Sequence, residues 1–342
     1  MKMSGLRFRF KKMLAPIFAP LYRGRGSILM FHRILPDDNL SRVHTKALEV
    51  TPERLEEIIL FFKQKNYDFI KMEEVRDYLT KKRKNKFVVF TFDDGYIDNY
   101  TVAYPIFKKH NIPFTIYITT DMPDEKMVLW HYMLEEMMLK NEKVKLDLGK
   151  GSQTFDISNQ EKKEKIYNEL RRYLIDLHKG ERMSKINQWF LEQEGDLLNK
   201  VKKLSMTWNQ IKKLSNDSLV EIGAHTISHP SLSVLSEDEL FQEVSGSKLL
   251  LEERIGRKVY HFAYPFGSKN EIQDREVDLL RKSEFKSSVT TREGNVFPAH
   301  INYLHALPRI YIGPSTSLKY IQAFTSGRAP FLRDSFNRVI TL

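Results

Sequence analysis

Phe87–Phe92, FVVFTF, is a continuous apolar run that passes straight into Asp93, Asp94 and Gly95. A run this short, closed by turn residues, reads as a buried strand. Similar runs recur along the chain. Residues 27–31, SILMF, form one and end on His32. Residues 114–119 and 219–223 form others, and 259–264 and 285–289 two more. Helical stretches lie between them. Thr51 and Pro52 read as an N-cap and first helical residue, followed by Leu55, Ile58, Ile59 and Phe62 at helical spacing. Residues 67–70 read as a weak strand, and 72–82 and 99–110 as helices. Ser236 and Glu239 form a capping box, and the helix it opens closes at Gly256. A further helix runs to about residue 283. Strands alternating with helices predict an α/β fold with a parallel sheet covered by helices.

The alternation lapses between about residues 122 and 206, where Lys and Glu dominate. Helical stretches are expected at 161–178 and 186–192. A hairpin is expected at 144–157, around Gly149 and Gly151. The segment reads as a mostly helical insertion. The last thirty or so residues, basic and weakly patterned, stay unassigned.

The chain has no cysteine, so disulfides, thiolate metal sites and cysteine nucleophiles are excluded. Any transition-metal site must be built from His, Asp and Glu. The 55 Lys and Arg outnumber the 44 Asp and Glu, a net charge of +11. No zinc-finger or RNA-binding signature accompanies that charge, and no nucleic acid is expected as a partner. At the N-terminus, Lys and Arg mix with a short apolar stretch. Pro16 and Pro20 interrupt it, and Arg23 and Arg25 follow. That pattern favours a peripheral contact with an anionic membrane over a secretory leader. The expected location is cytoplasmic, with membrane association.

Three stretches carry chemistry. Asp93 and Asp94 close a strand, where parallel α/β folds place their ligands. GAHTISHP sets His225 and His229 four residues apart, again after a strand. One carboxylate and two imidazoles suit a divalent metal with open positions. FAYPFG, residues 262–267, is by itself only a turn. Trp130 and Trp208 read first as core residues. The other histidines, His131 and His261 among them, read as structural or exposed.

Together, TFDDGY at 91–96, HTISHP at 225–230, FAYPFG, and KKHNIPFTI at 108–116 resemble the polysaccharide deacetylase family. This is carbohydrate esterase family 4, with the NodB-homology fold. The resemblance implies a distorted (β/α)7-type barrel over residues 27–312, interrupted by the insertion. A basic segment, 1–26, precedes it and an extension, 313–342, follows. It implies Asp93 as base and Asp94, His225 and His229 as metal ligands. It implies Tyr264, Pro265 and Phe266 as the loop supplying an oxyanion donor, the Phe266 N–H. The family's third motif carries an Arg that orients the base, whereas Ala263 stands here. Arg309, in LPRI, is the candidate substitute, with a surface arginine as the competing reading. The family's late Leu-x-x-His motif, which supplies a general acid, has no match near the C-terminus. ILMFH at 28–32 looks like that motif moved forward, as in circularly permuted members, with His32 as the acid. The implied reaction is N-deacetylation of a glycan, using zinc or else cobalt, nickel, iron or manganese. An O-acetyl esterase and an inactive glycan-binding module stay open as alternatives.

Overall fold

Seven parallel strands close into a barrel: β1 (Gly26–Phe31), β2 (Phe87–Phe92), β3 (Phe114–Ile118), β4 (Val220–Ala224), β5 (His261–Ala263), β6 (Ser287–Glu293) and β7 (Leu307–Tyr311). The structure is a computed structural model and describes residues 5–37, 45–190, 201–333 and 337–341. Strand order follows chain order. β1 pairs with β2 from Gly26↔Phe87 to Phe31↔Phe92, and closes the barrel against β7 through Leu29↔Ile310. The two-residue strand Asp68–Phe69 lies beside the start of β2, before β3 takes over that edge at Thr91↔Thr115.

Side chains alternate across the barrel wall. Leu29, Phe31, Phe90, Phe92, Phe114, Ile116 and Ile222 join the core under the surrounding helices. Ile28, Val89, Tyr117, Ala263, Val289 and Leu307 fill a second, separate cluster. This second set is the inward one, and its series continue at the barrel mouth. Val89 leads through Thr91 to Asp93, Ile28 through Met30 to His32, and Leu307 through Arg309 to Tyr311. The middle of the barrel is tight. A Cβ on Gly223 would sit 2.4 Å from Tyr117 Cδ1, so only glycine there leaves room for that ring.

Sequence-based boundaries shift in several places, the strand expected at 285–289 running instead over Ser287–Glu293 and the helix expected at 186–192 starting at Lys179. The helix expected at 72–82 begins as a 3-10 turn, Met72–Glu74, and continues as Val75–Thr80. The helix expected at 99–110 opens with a π turn, Asn99–Ala103. The strand expected at 259–264 narrows to three residues. The last segment, left unassigned, holds the helices Leu318–Thr325 and Arg328–Arg333.

The insertion contains the helices Trp130–Lys140, Gln160–Asp176 and Lys179–Phe190 and a hairpin, Lys143–Asp147 with Ser152–Asp156. The expected helical residues 191–192 lie outside the described residues. Its helices bury a core of their own, including Trp130, Leu134, Leu146, Phe155, Leu170 and Phe190. Trp130 is thus a core residue. Trp208 donates its indole N–H to Asp124 Oδ1 at 2.8 Å.

Candidate active site

The C-terminal ends of the strands surround a cavity of about 340 Å3. His32 enters from β1, Asp93 and Asp94 from β2, His225 from β4, and Tyr264 and Phe266 from β5. His229 completes the set from the loop after β4. The backbone here is held in unusual conformations. Asp94, Thr226, His229 and Phe266 all have positive φ, at 75°, 67°, 54° and 60°. Such strain outside glycine costs free energy and clusters where geometry matters. Gly267, at φ +58°, passes so close to β6 that a Cβ would lie 2.9 Å from Thr291 N.

Asp94 Oδ1 lies 3.4 Å from His225 Nε2 and 3.5 Å from His229 Nε2. It is buried without a hydrogen-bond partner. His225 Nδ1 lies 2.7 Å from the Ala263 carbonyl, which can only accept, so Nδ1 carries the hydrogen. A neutral His225 therefore turns a bare Nε2 lone pair toward the Asp94 carboxylate. In that state two acceptors face each other, an arrangement satisfied by a metal ion between them or by a second proton on the ring. Burial favours an uncharged His225, yet the Asp94 carboxylate outweighs it and raises the pKa above the ordinary value. At His229 burial wins, lowering the pKa to about 3. Donors held 2.0–2.2 Å from one tetrahedral ion stand about 3.4 Å apart. The three side chains thus fit a divalent cation.

Asp93 is buried beside this cluster. Arg309, fully buried, meets it with two hydrogen bonds of 2.7 Å, from both terminal nitrogens. The same guanidinium donates to the Thr290 carbonyl and to Thr91 Oγ1. Arg309 is not a surface arginine. Pro265 is buried and shapes the turn, its carbonyl accepting from the Gly267 N–H, but it does not line the cavity. The Tyr264 hydroxyl donates to the His305 carbonyl at 2.9 Å. His32 lines the cavity, and its Nδ1 is buried without a partner.

Sequence reasoning missed several residues around this group. Glu243 accepts from the N–H groups of Ile227 and Ser228, both at 2.9 Å, and from Ser228 Oγ at 2.6 Å. It thereby clamps the loop that carries His229. Asp98 accepts from the Ile34 N–H at 2.7 Å and pairs with Arg33, while Asn99 donates to the His32 carbonyl. The insertion forms one wall of the cavity through Leu129, Trp130, His131, Asn168 and Arg171. His131, read as structural or exposed, is a half-buried wall residue whose Nε2 has no partner, and desolvation lowers its pKa to about 4. Its signal was absent because nothing local ties residue 131 to the strand ends.

Comparison with known proteins gives a consistent result. The polysaccharide deacetylase family profile matches residues 80–283, more than half the chain. That span includes Asp93, Asp94, His225 and His229 but neither His32 nor Arg309. YxkH of Bacillus subtilis (strain 168), a polysaccharide deacetylase by name, is 24% identical over 292 residues, 85% of this chain and 72% of its own. Two solved structures share the fold. One is the Streptococcus pyogenes deacetylase PplD in complex with acetate, 22% identical at a TM-score of 0.57, covering 88% of this chain and 97% of that one. The other is IcaB from Ammonifex degensii, 19% identical at 0.55, covering 88% and 96%.

Proposed function

The chain belongs to the polysaccharide deacetylase family, and on that premise we propose that it is a metal-dependent hydrolase removing N-acetyl groups from the amino sugars of a glycan. The observation that carries this reading is the His225 ring, its N–H committed to the Ala263 carbonyl and its lone pair turned on the Asp94 carboxylate. Asp94, His225 and His229 would hold the metal, with zinc first by donor type. Once bound, such an ion polarises an acetyl carbonyl and lowers the pKa of nearby water.

The chain's own residues supply the rest. Asp93, fixed by Arg309, takes the proton from the attacking water. The Phe266 N–H faces the oxygen on which charge develops. His32 gives a proton to the departing nitrogen, which leaves poorly as an anion. Arg171 lies in the cavity wall 5.6 Å from the Phe266 ring centroid, with no carboxylate in ion-pair distance among the described residues. It is placed to meet an electronegative group of the glycan. Ahead of the barrel, Met13, Ile17 and Leu21 are exposed one helical turn apart, Leu21 in the 3-10 turn after the first helix. This stripe supports contact with an anionic membrane. No helix among the described residues is long and apolar enough to cross one.

The test is acetate release from a panel of N-acetylated and O-acetylated glycans. Activity should fall to background with chelator and return on adding zinc. Release that ignores the chelator would overturn the metal-dependent reading, and release from O-acetyl substrates alone would move it to an esterase.

A further inference from the structure

The inward series that end at the cavity begin with polar residues at the other end of the barrel. Glu221 leads through Gly223 to His225, and His261 heads the series that continues at Ala263. The two ends of the first series are four residues apart, roughly 13 Å along a strand. Tyr117, packed against Gly223, lies between them. At the lower end, the 3-10 turn Met72–Glu74 brings Glu73 against Glu221 and His261.

His261 is 2% exposed, and its Nε2 has no hydrogen-bond partner. Its other ring nitrogen is occupied, 2.8 Å from Ser287 Oγ. Nε2 faces Glu73 Oε2 and Glu221 Oε1, each 3.5 Å away. That spacing is long for an N–H···O bond. It is the spacing of donors that share one ion, and it repeats the 3.4 and 3.5 Å separations around Asp94. The carboxylates are held in place. Glu221 accepts from the Met72 and Glu73 N–H groups at 3.0 and 3.2 Å, and from Thr115 Oγ1 at 2.9 Å. Lys286 takes Glu73 Oε1 at 2.6 Å and leaves Oε2 turned to the imidazole. Lys286 offsets one of the two carboxylates, so a neutral His261 looks onto a net negative charge.

We propose that Glu73, Glu221 and His261 form a second divalent-cation site, separate from the catalytic one. One imidazole with two carboxylates and no thiolate suits zinc or a similar transition ion better than calcium or magnesium. The site staples the turn that carries Glu73 to the starts of β4 and β5. It takes no part in acetyl chemistry, and binding there stabilises the folded chain by mass action.

The test is metal stoichiometry. The full chain is stripped with chelator, dialysed against zinc and analysed by elemental mass spectrometry. Wild type should hold two equivalents. His261→Gln should hold one and keep its acetate release. Glu73→Gln changes a half-exposed residue on a surface turn, tests the same site without disturbing the buried ring, and should also hold one. The triple variant Asp94→Ala, His225→Ala, His229→Ala should retain the equivalent that these two lose. Zinc should also raise the melting temperature of the triple variant, and adding His261→Gln should abolish that rise. Equal metal content in wild type and both single variants, or a triple variant whose remaining metal survives His261→Gln, overturns the proposal. The comparison of wild type with the His261 and Glu73 variants does not depend on the deacetylase reading.

Discussion

Arg309 and Asp93, both buried at the floor of the cavity, share two hydrogen bonds. Burial alone would raise the Asp93 pKa, but the Arg309 charge outweighs it and holds the carboxyl below its ordinary value. Removing one partner of such a pair strands the other charge. Arg309→Met should therefore cost about 3–5 kcal/mol in denaturant unfolding. Asp93→Asn with Arg309→Met should cost clearly less than the two single changes added together. The sign of the pH effect follows from the depressed pKa. The pair's stabilisation is complete above the unfolded carboxyl pKa, about 4, and is lost as pH falls through the lower folded value. The gap between wild type and Arg309→Met should narrow on acidification; a gap that stays constant down to about pH 3 counts against the pairing. His32 is tested by leaving group. His32→Ala should slow amide cleavage on the order of 10²-fold or more, yet barely affect an activated acetyl ester whose leaving group needs no proton. Equal losses on both substrates would assign His32 a structural role. Asp93, Asp94, His225 and His229 were legible because each stands in a short motif after a strand. The contact between Arg309 and Asp93 was expected only through the family resemblance, because 216 positions separate them and LPRI alone does not reveal which way its arginine points.

Two helices widen into π turns beside the cavity, and the residues there hold loops. Asp98 and Asn99, at the start of the turn Asn99–Ala103, hold the backbone at His32 and Ile34. Glu243, inside the turn Gln242–Gly246, holds the loop between His225 and His229. Lys179 of the insertion pairs with Glu243 at 3.1 Å, so the insertion braces that loop too. Groups that orient metal-binding side chains typically account for 10–100-fold in affinity. Glu243→Gln should weaken zinc binding at the Asp94 site by roughly that factor in competition with a chelating dye. Unchanged affinity would reduce Glu243 to a packing residue. The helices themselves were visible in the spacing of Leu240, Val244, Leu251 and Ile255. The π turns were not, since one extra residue in a turn leaves the apolar spacing nearly intact. A glutamate in FQEVSG reads as part of a solvated face until the loop it serves is seen.

At the scale of the molecule, the segments on either side of the barrel meet. Tyr22, before β1, packs edge-on against Phe331, after β7, with ring centroids 5.3 Å apart. Beyond Tyr22 the exposed stripe of Met13, Ile17 and Leu21 is the proposed membrane contact. Burying a Leu or Ile side chain contributes about 1.5–3 kcal/mol. Ile17→Glu with Leu21→Glu should therefore reduce sedimentation with anionic vesicles by roughly tenfold or more. Wild type that sediments equally with neutral and anionic vesicles would remove the electrostatic part of the argument. The alternation of strands and helices was readable along the chain. Closure was legible only through the family resemblance, because the register of Leu29 with Ile310 leaves no local mark in either strand. That closure has a consequence for chain connectivity. A ring whose members are joined in circular order has no privileged seam: the backbone can be cut at any link without parting two neighbours. A histidine delivered by the first strand thus reaches the same mouth as one delivered by the last. Linking the segments that meet at Tyr22 and Phe331, and reopening the chain at the exposed turn of residues 82–85, should give a protein with the same circular dichroism and the same bound zinc.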